Sequence, residues 1–451
     1  MAIMRKKIAF ALRRLVTVSN LLESLNDAYG YGRAMLLPAP LGYGKFNGES
    51  LTYGQCVSFT NLVCEALIRR LDMKKGERVL IISPSGAELL LLALAVIKGG
   101  GIAVPLDHRL PLRELRNRAE GCGAGPALID GGVAARREDI LDIPPRAGRV
   151  MICGPGRETP RGFLSLREAL EEGSGFFLPY TLKPGSVVGL FHSSGEEGSS
   201  LAVMATNRMI LGARRVASSL LPGGPGDAFV SALPLTSLVG FSCALMGLCA
   251  GMALFTPPGG GRSDVLGALE GSGAVVLMGD ARLFRELLLE DVASRGLSSL
   301  RLWLSAGGAT GELVASLRSR GEQGMAPFRL APPFAEIFTL AESTGALALK
   351  LALPWVGWPE RWPGVVIPPN RLKVVDGSGR KVKRGEEGCL AVKGPAVTPG
   401  YWNNMEYTLE SMREGWLHSG VRARRGRFFP AVLAGNGPAR NGGHGRVRAA
   451  E

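Results

Sequence analysis

Between Leu51 and Asp130 the apolar positions switch repeatedly between a helical and a strand period. Thr52-Tyr53-Gly54-Gln55 opens a helix that runs through Arg70. Val79 to Ser83 is a continuous apolar run of strand length, as expected of a strand covered on both faces. A helix follows from Gly86 to Lys98 and is stopped by Gly99-Gly100-Gly101. The strand Ile102–Pro105, a helix from Pro111 to Glu120 and the strand Ala127–Asp130 continue the pattern. Strands alternating with helices of about 10–15 residues predict parallel βαβ units. The same alternation resumes at Val187–Phe191 and at Gly273–Met278. After Pro354 the texture changes to short strands such as Arg371–Asp376 and Leu390–Lys393, separated by Gly/Pro turns, which predicts a small β-rich subdomain.

Apolar residues at Ile8, Leu12, Leu15, Leu22 and Leu25 predict one amphipathic helix running to about Asn26. It either docks on the domain or makes peripheral contact with a membrane surface. The uncharged stretch from Phe229 up to Arg262 is long enough to span a bilayer, but Pro234, Gly240, Gly247 and Gly251 break it. A buried strand–loop–helix–strand fits it better. From Pro430 the chain has no period and few large apolar residues, which predicts a basic flexible tail. The expected division is therefore residues 1–30, 31–354, 355–429 and 430–451.

The 451 residues are 46% apolar and 20% charged, which provides a sizeable core and excludes global disorder. A net charge of +14 would suit a nucleic-acid partner, but it is concentrated at the ends. Residues 1–15 hold Arg5, Lys6, Lys7, Arg13 and Arg14 with no acid, and from Gly415 onward seven arginines face only Glu451. The body is close to neutral, so no nucleic acid is expected. The seven cysteines form no CxxC pair, which argues against a zinc ribbon or a disulfide framework and for a cytoplasmic setting.

A set of motifs follows in order along the chain: Lys75-Gly76-Glu77-Arg78-Val79, Lys98-Gly99-Gly100-Gly101, Ala306-Gly307-Gly308-Ala309, Gly394-Pro395-Ala396-Val397, Gly400-Tyr401-Trp402-Asn403 and Trp416-Leu417-His418-Ser419-Gly420. In their order and spacing, over roughly residues 45–420, the chain resembles the adenylate-forming acyl-CoA synthetase (AMP-binding enzyme) superfamily. The resemblance implies an α/β fold, the large N-terminal domain of adenylate-forming enzymes, with two α/β subdomains and a small β-rich one. It also implies activation of a small carboxylate, by family default a fatty acid, with ATP and Mg²⁺ to an acyl-adenylate, and coenzyme A as acceptor. The family's mobile C-terminal domain and its catalytic lysine are expected to be absent from these 451 residues.

Carried over position by position, the resemblance implies a nucleotide site with two characters. The phosphate loop aligns with Ser193-Ser194-Gly195-Glu196-Glu197-Gly198-Ser199-Ser200-Leu201. Ser193, Ser194, Gly195 and Gly198 keep family positions, whereas Glu196 and Glu197 replace two hydroxyls and Leu201 replaces the lysine. Gly307, Gly308 and Ala309 would approach the adenine, Phe338 would offer it a ring, and Glu342 is the one implied metal ligand, for Mg²⁺. Val421 stands where the family's ribose-binding aspartate would be, and Pro234-Leu235-Thr236-Ser237 stands for the acyl-pocket Pro-Leu-Phe-His. No residue is assigned a catalytic role, and His192, beside Ser193, is expected to be a packing residue. The strand Val187–Phe191 is expected to be central, with the loop at its C-terminal end near Glu342. Two readings stay open: a carboxylate–CoA ligase, or a non-catalytic acyl- or nucleotide-binding module acting with a partner protein.

Overall fold

The computed structural model describes residues 2–144, 149–154, 159–193, 200–289, 298–322, 332–352, 358, 361–427 and 430–432. Three sheets organise them. The first has seven strands in the order Leu164–Ser165, Val150–Cys153, Ala127–Asp130, Arg78–Ile82, Ile102–Pro105, Val187–His192 and Ala202–Thr206. All neighbours are parallel except the last pair. The second has nine strands. Its parallel centre runs Phe334–Phe338, Leu302–Ser305, Ala274–Gly279, Ala228–Ser231, Ala253–Phe255 and Arg33–Leu36. Antiparallel edges are Ser50–Thr52 on one side and Ala348–Leu351 with Val365–Val366 on the other. The third is antiparallel and five-stranded, built on Arg371–Val375, Glu387–Lys393 and Trp416–Arg425.

Alternation along the strands assigns the layers. Val79 and Ile81 share one core with Phe229, Val276, Leu304 and Ile337, so the facing sides of both large sheets meet in a common interior. Their neighbours Leu80 and Ile82 belong to a second core, and Val230, Leu277 and Trp303 to a third, on the outer faces. The helices Gly86–Lys98 and Leu238–Cys249 contribute to the common interior. They are apolar around almost their whole circumference, as burial on all sides requires. The helix Tyr53–Arg69 starts at a capping box: Thr52 Oγ1 accepts from Gln55 N, and Gln55 Oε1 accepts from Thr52 N at 2.8 Å.

Three expectations need correction. The N-terminal stretch forms two helices, Ala2–Leu12 and Leu21–Tyr29, not one. Between them the Asn20 side chain accepts from Thr17 N at 2.7 Å and donates to Leu15 O at 3.0 Å, competing with helical bonds. The strand Val187–His192 is buried but lies one place from the sheet edge, because the chain returns beside it as the antiparallel strand Ala202–Thr206. Pro430–Val432, expected to open the tail, pairs with Trp416–Arg425; residues 433–451 lie outside the described residues. The uncharged stretch is a strand, a helix and a strand as expected, and no helix among the described residues is long and apolar enough to cross a membrane.

Candidate functional site

The phosphate-loop position begins at the C-terminal end of Val187–His192. Its neck is closed by its own hydroxyls. Ser193 N donates to Leu201 O at 3.0 Å, Ser193 Oγ accepts from Leu201 N at 3.2 Å, and Ser200 Oγ donates to Ser193 O at 2.9 Å. Leu201, in the place of the family lysine, is half-buried against the common core. Ser194, Gly195, Glu196, Glu197 and Gly198 lie outside the described residues. His192 contacts Cys122 Sγ at 3.7 Å through Nε2, and its enclosed Nδ1 has no partner. Burial, reinforced by Arg118, pushes its pKa down to about 3, so it is neutral.

Glu342 sits in a turn that is tied down on several sides. Ser343 Oγ accepts from Leu340 N at 3.0 Å, Thr344 Oγ1 donates to Met209 O at 2.7 Å, and Gly345 N donates to Ser242 Oγ at 2.8 Å. Burial raises the Glu342 pKa, opposed by a hydrogen bond from Tyr401 Oη at 3.2 Å. Tyr401 in turn lies beside the hairpin strand: it bridges Val203, Met204 N donates to Gly400 O, and Trp402 N donates to Ala202 O. Through Tyr401 the carboxylate is therefore joined to the strand that carries the phosphate-loop position. The motif's other residues hold this arrangement. A Cβ on Gly400, at φ +146°, would strike Thr408, while Trp402 Nε1 and Asn403 Nδ2 donate to Cys122 O and Gly121 O. Tyr401 was legible only as part of a motif, not as a partner of Glu342.

The residues expected to meet an adenine follow or end two adjacent parallel strands, Leu302–Ser305 and Phe334–Phe338, in which Ser305 pairs with Glu336. Gly307 and Gly308 have φ of +86° and +76°; among the described residues nothing lies within 4 Å of a Cβ placed on Gly307, whereas one on Gly308 would meet Ala281 Cβ at 3.3 Å. Ala309 follows in the same turn and is buried. Its amide donates to Glu336 Oε2 at 2.7 Å, and its carbonyl accepts from Trp358 Nε1 at 3.0 Å. Glu336 pairs at 2.7 Å with Lys350, whose ammonium lies 4.6 Å from the Trp358 ring centre. Glu336 and Lys350 are only 6% and 3% exposed. The sequence reading missed all three residues. The available signal was one acid and one base alone in apolar strands, which the antiparallel register then sets opposite each other.

At the ribose position, Val421 is half-buried against the core of the five-stranded sheet. Within the same strand, Ser419 Oγ donates to Leu390 O of the neighbouring strand at 2.7 Å and accepts from Val421 N at 3.3 Å. Pro234–Ser237 forms the entry to Leu238–Cys249, where Ser237 Oγ caps Gly240 N at 3.0 Å.

Two largely parallel sheets that share one helical interior give the fold of adenylate-forming enzyme domains. Residues 36–402 match the family described as AMP-binding enzyme, and the chain belongs to that family. It is 26% identical over 385 residues to a 2-succinylbenzoate–CoA ligase of Bacillus cereus (strain AH820), covering 82% of this chain and 70% of that one. It is 24% identical over 405 residues to a long-chain-fatty-acid–CoA ligase of Escherichia coli O6:H1, covering 83% and 70%. The fold superposes on the inhibitor-bound N-terminal domain of FACL13 from Mycobacterium tuberculosis with a TM-score of 0.77 and 17% identity, covering 93% of this chain and 99% of that one.

Proposed function

We propose that this chain binds an acyl-adenylate at the C-terminal edge of its nine-stranded sheet and is a poor catalyst of making one. The observation that carries this reading is the asymmetry of the site. On the side assigned to the adenine, Gly307 has free space beside it and the turn is braced by a buried ion pair. On the side assigned to the phosphates, Leu201 is half-buried against the core and the Ser193 hydroxyl accepts from the loop's own backbone. In the aligned loop sequence Glu196 and Glu197 replace two hydroxyls by carboxylates, and a like-charge contact with phosphate at ~4 Å would cost about 1–4 kcal/mol. Val421 offers no acceptor to a ribose hydroxyl.

The substrate class in this reading is a small carboxylate, with a fatty acid first among candidates and coenzyme A as the acceptor. Mg²⁺ typically binds through one or two carboxylates plus substrate phosphates, rather than in an all-protein cage. Among the described residues no cluster of three metal-ligating side chains occurs, and Glu342, which accepts from Tyr401 Oη at 3.2 Å, is the carboxylate this reading assigns to the ion. That donor set fits a metal that arrives with the nucleotide, and Glu342 would hold it. The ion's contribution would be to offset phosphate charge.

Losing one preorganised contact commonly costs ~10²–10³ in rate, and losses within one catalytic unit do not multiply. Magnesium-dependent ATP–pyrophosphate exchange with a panel of fatty acids tests the reading. Exchange below ordinary detection is expected. Robust exchange by the unmodified chain would overturn it, and would mean that the glutamates hold a metal and another cation does the lysine's work.

A further inference from the structure

The N-terminal helix Ala2–Leu12 presents two unlike faces. Inward, Phe10 is buried and the Lys7 ammonium donates to Leu221 O at 2.7 Å. Outward, Ile8, Leu12 and Leu15 are 47%, 73% and 88% exposed. Beside them lies a groove of about 620 Å³ between this helix and Asn207–Leu220. Every charged side chain lining the groove is an arginine: Arg13, Arg14, Arg214 and Arg215. Arg214 is held in place, donating to Arg13 O at 2.9 Å and lying 5.7 Å from the Phe10 ring centre, with its Nε left without a partner. Arg13 pairs with Asp27 at 3.5 Å on the rim. Arg14 and Arg215 are exposed, as is Lys6 on the helix itself.

Exposed aliphatic side chains set among arginines are costly in water, and like charges crowded round a groove repel unless something anionic covers them. An acidic soluble partner would answer the charge but not the three aliphatic side chains. A lipid surface answers both: anionic headgroups meet the arginines, while Ile8, Leu12 and Leu15 enter the acyl boundary. We propose that this groove and its aliphatic rim dock the chain on an anionic lipid surface. The docking is independent of the chain's catalytic competence. It nonetheless reaches the candidate site, since the helix carrying Arg214 and Arg215 also supplies Met209, whose carbonyl holds the Glu342 turn through Thr344.

Co-sedimentation of the full chain with vesicles tests this. Binding is expected to an equal mixture of phosphatidylglycerol and phosphatidylcholine, to weaken with added salt, and to be absent on phosphatidylcholine alone. At about 1 kcal/mol per basic residue, Arg14→Ala with Arg215→Ala should weaken partitioning about 25-fold. Leu12→Ser with Leu15→Ser should weaken it by about tenfold or more even at low salt. Thermal melting of both variants checks that the fold is kept. No binding to anionic vesicles, equal binding to neutral ones, or unchanged binding by the arginine variant overturns the proposal. So does binding of a polyglutamate peptide without vesicle binding, which would assign the groove to an acidic protein.

Discussion

Replacing Lys350 by methionine removes the cation from a nearly dry pair. Glu336 would keep one amide donor, Ala309 N at 2.7 Å, and lose a partner at 2.7 Å. Both side chains are at or below 6% exposure, so water cannot take the lysine's place. Breaking a buried pair from one side costs about 3–5 kcal/mol, whereas an exposed pair is worth about 1 kcal/mol or less. Lys350→Met should therefore fall in the first range, with the Trp358 cation–π contact adding to the loss. Adding Glu336→Gln to Lys350→Met removes the stranded charge but keeps an oxygen for Ala309 N. The double variant should be more stable than Lys350→Met alone, with a coupling of several kcal/mol in the double-mutant cycle. Urea unfolding followed by tryptophan fluorescence measures both quantities. Because Glu336 also fixes the Gly307–Ala309 turn, affinity for an adenylate analogue should drop in the single variant. A loss under about 1 kcal/mol, or additive single effects, would refute the reasoning, since the pair would then behave as if solvated.

Glu88, fully buried and accepting from Tyr43 Oη at 2.5 Å and Ser83 Oγ at 2.8 Å, has its pKa raised by burial to about 7 from an ordinary 4.5. The folded state keeps a proton that the unfolded chain releases, so stability falls as pH rises from about 4.5 to about 7 and then levels. At 1.36 kcal/mol per unit the span is about 3 kcal/mol, and Glu88→Gln should abolish it, so that the urea midpoint of the variant relative to wild type rises between about pH 5 and about pH 8. Restoring family residues together, with Leu201→Lys, Glu196→Thr, Glu197→Thr and Val421→Asp, should improve ATP affinity by calorimetry before it restores turnover. Unchanged ATP affinity would mean that those positions do not line the nucleotide site.

Much of the architecture was legible because buried parallel strands and the helices between them carry strong periodicity. Ile102–Pro105, Ala127–Asp130 and the helix Gly86–Lys98 coincide with their expected limits, each bounded by glycine, proline or a capping serine. The break between the two N-terminal helices was not legible, because Asn20 makes it with side-chain bonds that leave the apolar spacing unchanged. The place of Val187–His192 near the edge was hidden for another reason. A continuous apolar run identifies a covered strand, but not which neighbours it has. At the site, Glu342 and the glycine turn were indicated by motif, whereas the brace beneath them was not. Glu336, Lys350 and Trp358 share no periodicity in the sequence and become a unit only through the antiparallel register and the bond from Trp358 to Ala309 O. The tie between Tyr401 and Glu342 is likewise a product of packing, across 59 residues of chain.

The most direct test is a paired thermal-shift titration of the full chain with a non-hydrolysable acyl-adenylate analogue and with magnesium ATP. A ligand present at 100 times its Kd stabilises the folded state by about 2.7 kcal/mol. The analogue, which under the proposed reading would reach the glycine turn without a triphosphate, should give that stabilisation at a concentration where magnesium ATP produces no measurable shift. Equal or greater stabilisation by magnesium ATP would contradict the account, because the phosphate side of the site would then be competent despite Leu201, Glu196 and Glu197.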